Sequence, residues 1–215
     1  MADYSADKQL PKSLYEKIYQ DIVRHKIRPG TKLNERELAE EMGVSRTPIR
    51  ETLFLLSANG LVKRYPKLGV VVTELTLRDV LDAFQIREFI EPPASAIAAK
   101  TLREEDLREL LKRLEELKRS NVVNAGTYEQ HDMIDAKIHD LIIEAVGNDK
   151  LKSIMDTIQT TCNRARFLGT PVRYEESVNE HLELLHALIK RDPELAEKCM
   201  RIHLTNTRQR LVEFI

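Results

Sequence analysis

A chain of 215 residues has room for one large domain or two ordinary ones, and 42% hydrophobic with 32% charged residues marks a globular, water-facing protein. Seven Gly, no Trp and few β-branched runs argue against an all-β fold; no apolar run approaches the ~20 residues that span a bilayer, and the N-terminus lacks a basic flank followed by an apolar core, so a cytoplasmic protein without a membrane partner is expected. The net charge of −1 hides a split: residues 1–75 hold 13 Lys+Arg against 10 Asp+Glu, leaving 21 against 25 of the totals of 34 and 35, as suits a mildly basic nucleic-acid module joined to an acidic domain.

Residues 1–10 are polar and expected to be disordered. From Lys12 a helical pattern sets Leu14, Ile18 and Ile22 on one face and stops at Arg28-Pro29-Gly30. A short second helix, Glu35 to Met42, buries Leu38 and Ala39, and Gly43 supplies the tight turn that follows. Ser45 then opens a third helix as its cap, and Pro48 falls in the first turn, where a missing N–H costs little. Ile49, Leu53 and Leu56 share the inner face, while Arg46 and Arg50 stack one turn apart on another. Two arginines on the first turns of a short helix suit a major groove, where the helix end favours phosphate and a guanidinium bonds a guanine edge. The alternative is a solvated arginine pair. After Asn59-Gly60 the period changes: Leu61–Tyr65 and Val70–Thr73 read as strands joined by Pro66-Lys67-Leu68-Gly69, a hairpin with Lys63, Arg64 and Lys67 near its tip. Three helices and a basic hairpin make a winged helix-turn-helix.

These residues carry a family resemblance. Leu33-Asn34-Glu35-Arg36-Glu37-Leu38-Ala39-Glu40, the Gly43–Leu53 segment, Asn59-Gly60-Leu61-Val62 and Gly69-Val70-Val71-Val72 together resemble the DNA-binding domain of GntR-family bacterial transcription regulators. The resemblance implies that Arg36, Arg46 and Arg50, with Ser45 and Thr47, touch DNA, and that Gly69 at the wing tip lets the backbone approach it. Arg36 would position phosphate; Arg46 and Arg50 would divide phosphate and base contacts in an order the sequence leaves open.

Beyond Leu75 the pattern is helical nearly to the end: Thr76–Glu91, Pro93–Thr101, Glu104–Arg119, Tyr128–Val146, Asp149–Leu168, Tyr174–Lys190 and Pro193–Phe214, with loops at Asn121–Gly126 and Gly169-Thr170-Pro171. The expected fold is therefore mainly α: a winged helix-turn-helix over residues 1–75, then an antiparallel bundle of six or seven helices over residues 76–215. Cys162 and Cys199 form no motif and read as small buried residues.

Polar residues interrupt the apolar stripes of that bundle. Asp135 and His139 lie on the stripe of Ile138, Ile142 and Val146; His181 lies on that of Leu184, Leu185 and Leu188; His203 lies on that of Cys199, Met200, Thr207 and Leu211. A buried carboxylate without a partner would cost several kcal/mol. One Asp oxygen and three imidazole nitrogens from three facing helices suit a divalent Zn, Ni, Mn or Fe ion and do not suit calcium. Hydrogen-bonded core histidines are the alternative. His186 points about 140° away from His181, and His131 lies at the edge of its helix.

Asp135-Ala136-Lys137-Ile138-His139, Gly147-Asn148-Asp149-Lys150-Leu151, Glu180-His181 with Ala187-Leu188 and Asp192, and His203-Leu204 are similar to the all-helical FCD domain of the FadR subfamily. All four positions of that family's metal motif are filled, and Ile138 stands where an aromatic is usual. The resemblance implies a metal that helps hold a small organic acid effector. On the first bundle helix, Arg87 shares the inner stripe with Val80, Ala83, Phe84 and Ile90 and needs an anion, either the effector or an internal carboxylate such as Glu88, Glu91 or Asp135; Arg164 and Arg166 are further effector candidates. The expected protein is a homodimeric, metabolite-responsive repressor on a palindromic operator in double-stranded DNA. Two rivals differ in class: a metalloenzyme with Glu180 or Glu183 as general base, although no HExxH pattern is present, and an effector-independent DNA-binding protein with a structural metal.

Overall fold

The structure is a computed structural model that describes residues 6–120, 122, 124–166 and 174–213. The elements run α1 (Ala6–Val23), β1 (Lys32–Leu33), α2 (Glu35–Met42), α3 (Arg46–Ala58), β2 (Val62–Tyr65), β3 (Gly69–Val72), α4 (Leu77–Thr101), α5 (Glu104–Ser120), α6 (Ala125–Glu144), α7 (Asp149–Arg166), α8 (Tyr174–Ile189) and α9 (Pro193–Val212). By their contacts they form two units: one holds the chain up to Thr76 with residues 160–166, the other holds Leu77–Gln159 and the chain from Tyr174 on. No helix among the described residues is long and apolar enough to cross a membrane.

In the first unit, Leu14, Ile18 and Ile22 of α1 pack against Leu38, Ile49, Leu53, Leu56 and Val72, each nearly or fully excluded from water. Burial of a side chain of this size contributes roughly 1.5–3 kcal/mol, so one shared core suffices to hold three short helices together. Asn34 caps α2 by accepting from the Arg36 N–H, and Gly43 ends it at φ +65°, a left-handed conformation in which its N–H reaches the carbonyls of Ala39 and Glu40. Ser45 occupies the cap position of α3 as expected, but its hydroxyl makes no capping hydrogen bond. Ser45 and its neighbours Arg46 and Thr47 are exposed, so the N–H groups of that turn face water instead.

The wing has one strand more than the sequence predicts. β1 pairs with β3, β3 pairs with β2, and both pairings are antiparallel, with Lys32 opposite Val71 and Tyr65 opposite Gly69. A two-residue strand beside a Pro-Gly breaker has no alternation to read. At the other boundary, α1 takes in residues 6–10, expected to be disordered; residues 1–5 lie outside the described residues.

Among the described residues the second unit holds helices and no strand, and α4 corrects the expectation of a break at Pro93. One helix of 25 residues runs through Pro92 and Pro93. An interior proline removes a hydrogen bond and costs about 3 kcal/mol, and the surroundings offset that: Pro92 is buried, the Ser95 hydroxyl donates to the Glu91 carbonyl at 2.8 Å, and α4 packs along α9 with further contacts to α6 and α8. Among the described residues the bundle therefore has six helices, α4–α9. α6 begins at Ala125, inside the stretch expected to be a loop, because Asn124 and Thr127 form a reciprocal capping box. Asp192 caps α9, accepting from the Leu195 N–H with Pro193 at the first position. The Gly169-Thr170-Pro171 break lies outside the described residues.

Candidate functional site

On the first unit, α3 buries Ile49, Thr52, Leu53 and Leu56 and leaves Arg46, Thr47 and Arg50 exposed. Arg36 stands on exposed α2, where it donates from Nε to Glu40 at 2.8 Å. Gly69 begins β3 at φ +84°, a conformation that side-chain-bearing residues rarely adopt, so the wing turns tightly there. A protruding helix end, two spaced guanidiniums and a basic wing are the components with which such a fold holds duplex DNA.

In the second unit, α6, α8 and α9 bring together four groups. Asp135 and His139 lie one turn apart on α6, His181 on α8 and His203 on α9; all four are buried, and one donor atom from each lies within 4.8 Å of the others. His181 is fully buried, and neither ring nitrogen has a hydrogen-bond partner among the described residues, although Nε2 lies 3.2 Å from Asp135 Oδ1. Burial and the neighbouring His203 push its pKa down to about 3, so the ring is neutral with a lone pair available. A fully buried imidazole set among a carboxylate and two further imidazoles is unusual in a core and ordinary in a metal site. The donor set fits a borderline divalent ion.

Two carboxylates behind the histidines escaped the sequence reading in this role. Glu91 Oε2 lies 2.5 Å from His139 Nδ1, and Glu180 Oε2 lies 2.9 Å from His203 Nδ1. Each pairing occupies Nδ1 and leaves Nε2 for an ion, the arrangement by which outer carboxylates orient metal-bound imidazoles. Burial opposes ionisation of Glu91, but Arg87 and His139 outweigh it and hold the carboxyl down to about 2. Glu180 is likewise held at about 2 against its burial, by hydrogen bonds from His203, Arg210 and Asn206. Burial works against a charged His139, yet Glu91 and Asp135 raise its pKa above the ordinary value. Glu91 and Glu180 lie on the histidine-facing sides of α4 and α8; the signal was present as two acidic residues on apolar stripes.

Arg87 is fully buried beside this cluster. Its Nε donates to Glu91 Oε1 at 2.5 Å and its Nη2 to Oε2 at 3.3 Å, and Nη2 lies 3.2 Å from both ring nitrogens of His139. Of the internal partners that the sequence allowed, Glu91 is engaged, while Glu88 accepts from Arg208. Arg164 groups with the winged helix and donates to Thr73 Oγ1 at 2.9 Å and to the Thr73 carbonyl at 2.6 Å. Arg166, half-buried at the end of α7, belongs to the same group of residues. His131 is buried with its ring 5.6 Å from that of His181 and its Nε2 3.3 Å from Ser177, outside the four-residue set. His186 is exposed.

A winged helix-turn-helix followed by an all-helical domain with a buried cluster of metal-binding groups defines a two-part DNA-binding regulator. Residues 10–72 match the bacterial regulatory proteins of the gntR family, and residues 82–206 match the FCD domain. The HTH-type transcriptional regulator YdhC of Bacillus subtilis (strain 168) is 30% identical over 211 residues, covering 96% of this chain and 93% of that protein. The HTH-type transcriptional repressor RspR of Escherichia coli (strain K12) is 27% identical over 195 residues, covering 89% and 84%. Among solved structures, E. coli McbR/YncC aligns with a TM-score of 0.77 at 21% identity over 95% of this chain and 97% of that one. The Zn2+-bound FCD domain of TM0439 aligns with a TM-score of 0.53 at 23% identity over 65% of this chain and 96% of that one. The chain belongs to the gntR family of bacterial transcription regulators and carries an FCD domain. Its relatives are regulators, not enzymes, which sets aside the metalloenzyme reading.

Proposed function

We propose that this protein is a metabolite-responsive repressor in which Asp135, His139, His181 and His203 hold a divalent metal ion and Arg87 helps to bind a small carboxylate effector beside it. The observation that carries this reading is the grouping of four buried donors, one atom of each within 4.8 Å of the others, with the fully buried Arg87 guanidinium against His139. A divalent ion held there would add positive charge beside that guanidinium, buried positive charge calls for an anion, and a carboxylate suits both a metal position left open and a guanidinium.

A bound ion would supply a Lewis-acidic contact for the effector's oxygen. The chain's own residues do the rest. Glu91 and Glu180 fix the imidazole orientations, and Glu91 holds Arg87 against His139, so that the guanidinium is already placed when the acid arrives. Zinc is favoured by the donor set, and the FCD domain of TM0439 is one that binds Zn2+; nickel, manganese and iron share much of that chemistry.

The protein would act in the cytoplasm as a homodimer on a palindromic operator, reading each half-site with Arg36, Ser45, Arg46, Thr47 and Arg50 and laying the wing at Gly69 along the backbone. A face for self-association is offered by α4, where Phe89, Pro93 and Ile97 form an exposed stripe at four-residue spacing; Phe89 is 73% exposed. For the acid to control DNA binding, it must bind one arrangement of the heads better than the other. A thermal-shift screen of mono-, di- and tricarboxylates and sugar acids, with and without chelator, tests the site. At least one acid should stabilise the metal-loaded protein, and Arg87→Ala should abolish that shift while metal content stays unchanged. Metal lost together with the acid response would make Arg87 a structural support of the cluster instead.

A further inference from the structure

Two helices and the wing of the DNA-binding unit meet at one carboxylate. Glu35, the first residue of α2, has a side chain only 15% exposed. Its Oε2 accepts from Arg50 Nε and Nη2 on α3, both at 3.4 Å, and its Oε1 accepts from Arg64 Nη2 on β2 at 3.2 Å. Each oxygen therefore serves a different guanidinium, and the residues joined are 15 and 29 positions away in sequence. The outer parts of both arginines remain open to solvent, at 65% and 59% exposure.

The neighbouring pair Arg36–Glu40 differs in kind. It lies within one helix, both partners are exposed at 75% and 64%, and a pair of that sort contributes little. Glu35 is recessed and joins three elements that the core alone would leave free to adjust. Burial raises the proton affinity of Glu35, but Arg64 and Arg50 outweigh it and keep the carboxyl below its ordinary range.

We infer that Glu35 is a positioning residue for DNA reading: it holds Arg50 of the recognition helix and Arg64 of the wing in one arginine–carboxylate–arginine cluster and thereby makes Arg64 a second reading cation of the same surface. Two cations share one anion, so the cluster stays net positive and still attracts DNA. A free arginine loses the freedom of several rotatable bonds when it binds, and a preorganised side chain has already given up much of that freedom beforehand. The carboxylate also repels phosphates that approach without the correct fit, so it weakens binding to random duplex while favouring the matched site. This inference rests on the winged helix being the DNA-reading surface.

The test uses the full-length protein and an operator selected from random duplexes with the wild type. Affinities of the wild type, Glu35→Gln, Glu35→Ala and Arg64→Ala for that operator and for an unrelated duplex are measured across a salt series, alongside thermal unfolding. Glu35→Gln should lower the ratio of specific to non-specific affinity by about 5- to 30-fold, the loss expected from freeing one or two rotamer-rich side chains, with non-specific affinity equal or tighter. Arg64→Ala should also lower the ratio, and by less in the Glu35→Gln background than in the wild type. The inference fails if Glu35→Gln tightens both duplexes alike, which would make Glu35 a mere charge brake. It also fails if both affinities fall alike with a lowered melting temperature, which would make it a fold residue. A wild type that selects no duplex at all would remove the reading surface itself, and the cluster's role with it.

Discussion

His181 states the chemistry of the bundle most plainly at the scale of single residues. Its burial, its lack of hydrogen-bond partners among the described residues and its low proton affinity describe a ligand more than a core histidine. His181→Ala should remove most bound metal, read by elemental analysis of the purified protein, and full occupancy in that variant would exclude the residue as a ligand. His139 gives a pH signature. Glu91 and Asp135 raise its pKa above the ordinary imidazole value in the metal-free protein, so it keeps its proton to higher pH than a free imidazole, and an ion must displace the proton on Nε2 while Nδ1 stays with Glu91. Metal binding should therefore release a proton on the acid side of neutrality, and affinity should weaken as pH falls. Calorimetry in buffers of different ionisation enthalpy measures this; binding without proton release would contradict the assignment. Periodicity made the four candidate ligands legible, because a helix that buries Ile138 and Ile142 must also turn Asp135 and His139 inward. The same reasoning missed Glu91 and Glu180 as partners of the histidines, because which carboxylate meets which imidazole depends on how α4, α8 and α9 are set against α6. Sequence spacing carries no such information.

At the scale of elements, helix existence was more legible than helix ends. Strong apolar periods located every helix of the bundle, but two prolines inside α4 signalled a break that packing against α9 overrides. A capping box at Asn124 lengthened α6, and a strand of two residues was invisible to any window. The continuity of α4 matters beyond geometry, because it aligns Phe89, Pro93 and Ile97 on one unbroken face. Two separate helices would not present that stripe. If this face joins two copies, Phe89→Asp should convert a dimer to a monomer in sedimentation or light scattering, with the helical circular dichroism retained. A variant that stays dimeric would place the interface elsewhere.

Considered as a whole molecule, the chain joins a mildly basic winged helix-turn-helix to an acidic helical bundle that buries a cluster of groups able to hold a metal ion. The family assignment follows from both parts together, with residues 10–72 and 82–206 each matching their own domain. The central claim is that the metal-loaded bundle binds an acid whose arrival changes the affinity of the head for DNA. It is tested by titrating small carboxylates into the protein–operator complex, metal-loaded and chelator-stripped, with DNA binding followed by fluorescence anisotropy. The account predicts that at least one acid releases DNA from the metal-loaded protein, that stripping the metal abolishes the effect, and that Arg87→Ala weakens it. DNA affinity unmoved by every acid, or moved equally with and without metal, would contradict it.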